Sequence, residues 1–476
     1  MSETAEKPAA NPALKQLPWI ELLRHGRAVY TITLNIGIGL HAVDVFVITT
    51  VMPAVVRDLG GVKFYAWAMM LYMVASIVGA ASGNVVSAAL GARRGYVIAA
   101  GIFFAGTLGC AVAPVMAVLL VFRTVQGFGG GLIVAQSMGL VRELYEDALR
   151  TRALATISGI WAVASLFGPL LGGLFSEIGW WRGAFFSTLP AIALFGLLAW
   201  RRLPPSEHAA SVPRLPIRRL ALLAAGVIAV GVCGTVDSLA LQLLLVLAAG
   251  IAVVLSFRLD GAASQPLFPP RPLSLRHTVG IAFWMFFLQS ITHSAAGLFL
   301  PLALQELHGL GSLAAGYFGA ILALGWTAAS FGSAGWTGRA VTAAIAGGPL
   351  LAAISLGIIA AGIVVLPPLA IGIAMVITGL GIGICSLHLT AATLAETEPA
   401  EGRRIASAIP TVRMLGIAFG SALAGLIANA AGLGRGITME SVAAAARAVL
   451  GTAAGAAGCL ALFALLLLRR RRADRG

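Results

Sequence analysis

Residues 28–53 read AVYTITLNIGIGLHAVDVFVITTVMP, an apolar run of 26 residues whose one charged side chain is Asp44. A helix needs about 20 such residues to cross the hydrocarbon of a bilayer, so this stretch reads as a membrane span with an acid inside it. The rest of the chain is of one kind with it. Of 476 residues, 59% are hydrophobic and 11% are charged, and the mean hydropathy is +0.95. Soluble proteins carry about 25% charged residues. This chain has too few charges to cover soluble domains, which excludes a soluble enzyme.

Apolar runs follow at 28–53, 64–87, 95–113, 114–141, 153–177, 181–200, 217–236, 238–257, 278–302, 312–337, 341–366, 368–394, 404–431 and 442–468. The expected fold is an all-α integral membrane protein with about 14 transmembrane helices. The first 27 residues are polar and end in the amphipathic LPWIELLRHGR. They lack the short apolar core and small-residue cleavage site of a signal peptide.

The net charge is +14. With both termini cytoplasmic, 25 of the 32 Lys and Arg fall on the cytoplasmic side. The other side holds Arg57, Lys63, Arg182, Arg435 and Arg447, while Arg123 and Arg413 lie within spans. That asymmetry is the positive-inside pattern. The charge therefore reads as a topology signal for a multi-pass protein of a bacterial cytoplasmic (inner) membrane, with the lipid bilayer rather than nucleic acid as its partner. Cys110, Cys233, Cys385 and Cys459 each lie in an apolar run without metal-site spacing. They read as buried thiols, and neither a metal nor another cofactor is expected.

The chain also repeats itself. At a constant offset of 252, Gly127, Gly129 and Gly131 match Gly379, Gly381 and Gly383; Arg152 matches Arg404; Gly168 and Gly173 match Gly420 and Gly425. At an offset of 248, Pro53 matches Pro301. Two homologous six-helix bundles follow, 28–202 and 277–468. Residues 203–276 supply a linker with two extra helices, 1–27 a cytoplasmic segment and 469–476 a basic tail. The repeat is unequal in charge, because Thr292 stands where the first half has Asp44 and Met375 where it has Arg123.

Ionisable residues inside a membrane are expensive and mark function. Asp44 lies nine residues before Pro53, and Arg123 nine residues after Pro114. At the helical rise, both sit about 13 Å below the outer surface, at a depth that allows them to pair. His41 is one turn from Asp44 on the same helix face. Asp44, Arg123 and His41 are the candidates for proton coupling. Gln126, Gln289, Thr292, His293, His388 and Arg413 are the candidates for lining a substrate cavity. The run GIWAVASLFGPLLGG carries Gly159, Gly168, Pro169, Gly172 and Gly173, spaced for close helix approach and a bend.

These residues resemble a known pattern, that of the fourteen-helix drug/proton antiporters of the major facilitator superfamily. DVFVITTVMP, from Asp44 to Pro53, is similar to that family's first-span motif. LLVFRTVQGFGGG, with Arg123, Gln126 and Gly127, resembles its R-x-x-Q-G-x-G motif. GPLLGG resembles its antiporter motif, and WWRGAFFSTLP, with Trp181, Arg182, Phe185 and Pro190, its W-R-x-x-F stretch. The resemblance spans about 28–468. It implies a major-facilitator-type fold whose two bundles rock around a central cavity, roles for Asp44 and Arg123 in proton coupling, an interface sealed by Gly168–Gly173, and export. It also places a cytoplasmic gate loop at Gly91, Arg93 and Arg94. The acid that the family carries in that loop is absent here, with Ser87 or Ala88 in its place.

The function expected is proton-coupled export of small amphipathic or drug-like molecules by a monomeric secondary transporter. A specific metabolite carrier is the alternative. A receptor is a further one. A membrane enzyme would need clustered catalytic groups, and the acids outside the spans, Glu143, Glu146, Asp147, Glu396, Glu398 and Glu401, sit among arginines as solvated loop charges. An ATP-driven pump is excluded, since none of Lys7, Lys15 and Lys63 lies in a phosphate-binding loop.

Overall fold

The computed structural model describes residues 19–22, 24, 27–203, 212, 214–395 and 399–473. Most of the N-terminal segment, part of the linker, Glu396, Glu398, the end of the basic tail and the side chains of Glu143 and Asp147 lie outside the described residues. Every regular element described is a helix. In chain order these are α1 (Arg27–Leu59), α2 (Trp67–Leu90), α3 (Ala92–Ala111), α4 (Met116–Leu144), α5 (Asp147–Glu177), α6 (Arg182–Arg202), α7 (Ile217–Cys233), α8 (Leu239–Gly261), α9 (Thr278–Leu298), α10 (Leu300–His308), α11 (Ser312–Gly332), α12 (Arg339–Gly362), α13 (Pro368–Ala395), α14 (Pro399–Ala430) and α15 (Met439–Ala473).

Backbone hydrogen bonds have no partner in hydrocarbon other than the helix itself, so long apolar runs fold this way. The punctuation is local. Gly91, at φ 77°, supplies the turn between α2 and α3 that an L side chain disfavours. Ser238 caps α8 by accepting from the Leu241 amide. Among the described residues, thirteen helices, with α9 and α10 taken together, are long and apolar enough to cross a membrane by length and composition. The fourteenth expected span is α7, which has only 17 residues. The expected ninth span is broken at Phe299, and α10 starts with Pro301 in its first turn. Its repeat partner Pro53 is carried inside unbroken α1.

The helices form two groups of six spans with the same internal plan. In the first, α4 packs between α2 and α3, α1 lies on α5, and α3 on α6. In the second, α13 packs between α11 and α12, α9 lies on α14, and α12 on α15. Glycines set the shared geometry. A Cβ on Gly127 would meet the Tyr72 carbonyl at 2.2 Å and one on Gly131 that of Ser76 at 2.0 Å; Gly379 and Gly383 approach Leu322 and Trp326 in the same way, at 2.1 and 2.3 Å. Backbones this close exclude any side chain at these positions. The pairing also extends the repeat to the second span of each half, with Tyr72 opposite Leu322 and Ser76 opposite Trp326.

The two groups meet along α5–α11 and α2–α14. Between them in sequence, α7 and α8 form a hairpin. α7 packs on both α2 and α14, while α8 leaves most of its leucines uncovered, among them Leu243 at 62% and Leu247 at 60% exposure. That is the surface expected of a lipid-facing helix. The end of α8 holds a second buried acid, Asp260, in addition to Asp44. Asp260 pairs with Arg219 of α7 and accepts the amides of Leu267 and Phe268, pinning the chain where it leaves the hairpin.

Candidate functional site

Asp44 and Arg123 lie at the equal depth expected of them, and they touch. Arg123 Nη1 donates to Asp44 Oδ2 at 2.6 Å, with Arg123 fully buried and Asp44 5% exposed. Gln126, one turn along α4, completes a triangle. Its Nε2 donates to Asp44 Oδ1 at 2.8 Å, and its Oε1 accepts from Arg123 at 2.6 Å. Both carboxylate oxygens are thereby held, one by a cation and one by a neutral amide. Gln126 Nε2 also reaches Thr107 on α3 at 2.9 Å, and Arg123 Nε donates to the Ala68 carbonyl on α2 at 3.2 Å. Four helices therefore converge on one carboxylate. A buried ion pair holds only when such additional hydrogen bonds complete it.

His41 belongs to this cluster through an intermediary. Its Nδ1 is 2.7 Å from the Tyr72 hydroxyl, and the Tyr72 ring lies 4.2 Å under the Arg123 guanidinium. His41 stacks on Tyr72 at 5.4 Å and meets Trp161 of α5 edge-on at 6.0 Å. Tyr72 thus stands between His41, which it meets through its hydroxyl, and Arg123, which lies over its ring.

The second half is built differently. Thr292, at the position of Asp44, turns its hydroxyl back to the Leu288 carbonyl at 2.9 Å. Gln289 donates to the Ile382 carbonyl at 3.0 Å and keeps its Oε1 without a partner. His293 meets the Trp326 ring edge-on at 5.5 Å, and its Nδ1 has no partner. Arg413 reaches Ser386 at 2.8 Å and Thr390 at 3.3 Å, with its guanidinium 5.2 Å from the Phe286 ring and 6.0 Å from Trp326. His388 stacks instead on Trp336, 6.0 Å away, where α11 gives way to α12. The structure therefore brings together Asp44, Arg123, Gln126 and His41 in one cluster, and Arg413 and His293 around Trp326 in another.

The glycine-rich segment of α5 is a contact surface on two sides. Cβ atoms on Gly168 and Gly172 would lie 2.3 Å from Phe46 Cβ and 2.9 Å from Thr50 Cβ, so these two seat α1. One on Gly173 would lie 2.4 Å from Leu313 Cα, so this one seats α11 of the other half. Pro169 packs beside Gly316 of α11. Gly159 does not share this role, contrary to expectation, because nothing lies within 4 Å of a Cβ there. Nine residues turn a helix by about 900°, which puts Gly159 on the face opposite Gly168.

Contacts between the halves gather at the face opposite the basic termini. Arg57 pairs with Glu306 at 2.5 Å and with Gln305 at 3.2 Å; Glu177 accepts the Leu313 amide at 3.1 Å; Asn429 donates to the Lys63 carbonyl at 2.9 Å; Tyr65 stacks on Phe299 at 4.7 Å. The molecule is closed on that face. There Asp58 also receives Trp181 at 3.0 Å and Arg182 at 2.5 Å, tying α6 to the end of α1. On the basic face, Arg93 stacks 4.4 Å over Trp200 within its own half, and Arg94 is exposed.

Two six-span groups of one plan, the first with an ion pair buried among its helices, point to a known superfamily. The sequence model of the Major Facilitator Superfamily matches residues 34–421. The chain belongs to the major facilitator superfamily. A probable multidrug-efflux transporter of Mycobacterium tuberculosis is 32% identical over 470 residues, covering 94% of this chain and 97% of the relative. The multidrug efflux pump SdrM of Staphylococcus aureus is 24% identical, covering 84% and 89%. Among solved structures, a D-xylose–proton symporter superposes with a TM-score of 0.64 at 16% identity, covering 92% of this chain and 97% of that one. A POT family transporter gives 0.67 at 14%, covering 95% and 98%. Both share the fold.

Sequence reasoning missed Tyr72, Thr107, Trp161 and Trp326 in this major facilitator transporter. Each is an unremarkable residue in an apolar run, and composition gives it no distinction. A signal did exist for Tyr72, because a phenol in a span needs a partner when buried. Its place one helix away from His41 was not readable from spacing.

Proposed function

We propose that this transporter exports small amphipathic, drug-like molecules in exchange for protons, by alternating access, as a monomer in the cytoplasmic (inner) membrane of a bacterium. The efflux relatives support the cargo class. The observation that carries the coupling is the buried Asp44 carboxylate, shared between Arg123 and Gln126. An ionised Asp44 holds α1 against α4 by a charged contact in a low-dielectric setting. A proton on Asp44 removes that attraction and leaves Arg123 to Gln126, Tyr72 and the Ala68 carbonyl. α1 also rests on α5, and α5 on α11 across the interface. A change in how α1 packs on α4 is thus transmitted to the seam along which the halves rock. The His41–Tyr72 hydrogen bond beside Arg123 supports these two as the proton's route to Asp44.

The test is a panel of amphipathic dyes in proteoliposomes under an imposed pH gradient. Wild-type protein drives dye against its gradient and dissipates the proton gradient. Asp44→Asn binds dye and fails to accumulate it. Accumulation by Asp44→Asn overturns the reading, and transport with a flat pH dependence assigns the chain to facilitative carriage of a metabolite instead.

A further inference from the structure

The two six-span groups differ in the net charge held within their spans, and one arginine makes the difference. In the first half, Asp44 and Arg123 cancel. In the second half, Arg413 stands within α14 and, among the described residues, makes no ion pair. Arginine stays protonated even in apolar surroundings. A cation held in a membrane without a counterion faces a water-filled path or awaits an anion. The acceptors and walls around Arg413 come from three further helices: Ser386 and Thr390 on α13, Phe286 on α9 and Trp326 on α11. Both hydroxyls bind the same nitrogen, Nη2, while the buried Nε has no partner. His293 lies against the same Trp326 indole with an unpartnered Nδ1. The group is thus a planar cation and an imidazole around an indole, with a phenyl ring beside the cation. Its chemistry suits a planar oxyanion joined to a flat apolar body.

We propose that Arg413 is the anion-recognising residue of the cavity and that the cargo includes aromatic carboxylates. This deepens the export reading and rests on it for the word cargo. Arg413 also disfavours cationic amphiphiles, since the rest of the buried charge sums to zero.

The test is calorimetric titration of the full-length protein in neutral-lipid nanodiscs with 1-naphthoate and with its methyl ester. The two probes share the ring and differ in charge. Wild-type protein binds the acid about ten- to a hundredfold more tightly than the ester, the range of a hydrogen bond to a charged group. Arg413→Gln loses that preference and keeps the ester. Arg413→Lys keeps part of it, because an ammonium lacks the guanidinium fork. Ser386→Ala, which removes one hydroxyl orienting the guanidinium, weakens the acid severalfold and leaves the ester alone. Equal wild-type affinity for acid and ester overturns the proposal, as does an Arg413→Gln that weakens both equally. Should Arg413→Gln fail to fold, the wild-type ranking and Ser386→Ala decide. The titration needs no proton gradient. An acid preference without proton-driven flux therefore overturns proton exchange alone, and proton-driven flux without an acid preference overturns the anion site alone.

Discussion

Gly173 of α5 lies backbone to backbone against Leu313 of α11, so close that a Cβ on the glycine would stand 2.4 Å from the leucine Cα. The two residues belong to different halves, and their approach is part of the closed face. Gly173→Ala forces these backbones apart only when that face is shut. Overpacking costs about 1–3 kcal/mol, which moves the open/closed ratio by roughly five- to 150-fold. The check is cross-linking between Arg57→Cys and Glu306→Cys, which falls in yield when Gly173→Ala is added.

Asp44→Asn and Arg123→Gln each leave the other partner buried without its counterpart. Either change lowers stability by about 3–5 kcal/mol. The double variant carries no unpaired charge and regains most of that loss. Proton-driven accumulation stays absent in all three. Thermal unfolding and flux measured on the same samples separate the two effects. A double variant that transports would show the pair to be scaffold.

Tyr72→Phe keeps the ring beneath Arg123 and removes the hydroxyl that meets His41. Stability falls by about 1 kcal/mol, the net worth of a hydrogen bond. Proton-driven flux falls severalfold more than proton-independent exchange of the same dye. An equal fall in both would remove Tyr72 from the proton path.

Gly159→Ala and Gly168→Ala are a matched pair on one helix. The first adds a methyl into open space and removes a helix-weakening glycine, raising stability by about 0.5–1 kcal/mol. The second drives a methyl to 2.3 Å from Phe46 Cβ and unseats α1. Expression yield and melting temperature move in opposite directions for the two.

Much of this architecture could be read from the residues. Depth arithmetic from Pro53 and Pro114 brought Asp44 and Arg123 together, because a helix converts sequence distance into height almost without error. Azimuth was read less well. Gly159 was grouped with Gly168 on spacing, although nine residues point it to the other side. Lateral neighbours were not readable at all. Tyr72 and Trp326 gain meaning only from helices that close around them, and that arrangement is set by glycine contacts such as Gly131 on Ser76 and Gly383 on Trp326. The break at Phe299 was hidden because Pro301 and Pro53 are equivalent in sequence and differ in their helices.

The α7–α8 hairpin has a consequence for the membrane itself. α7 touches α2 and α14, one from each half, and Asn429 of α14 donates to the Gly234 carbonyl at its end. Rocking of the halves therefore has to swing the hairpin. At 17 residues α7 is about 25 Å long, against a hydrocarbon core of about 30 Å. The surrounding lipid must thin or α7 must stay upright, and each posture carries its own elastic cost. Turnover should then slow as acyl chains lengthen at constant headgroup, a dependence measurable in vesicles of graded chain length. In the alternating-access reading the bilayer is a spring attached to the moving parts, and its stiffness enters the transport rate.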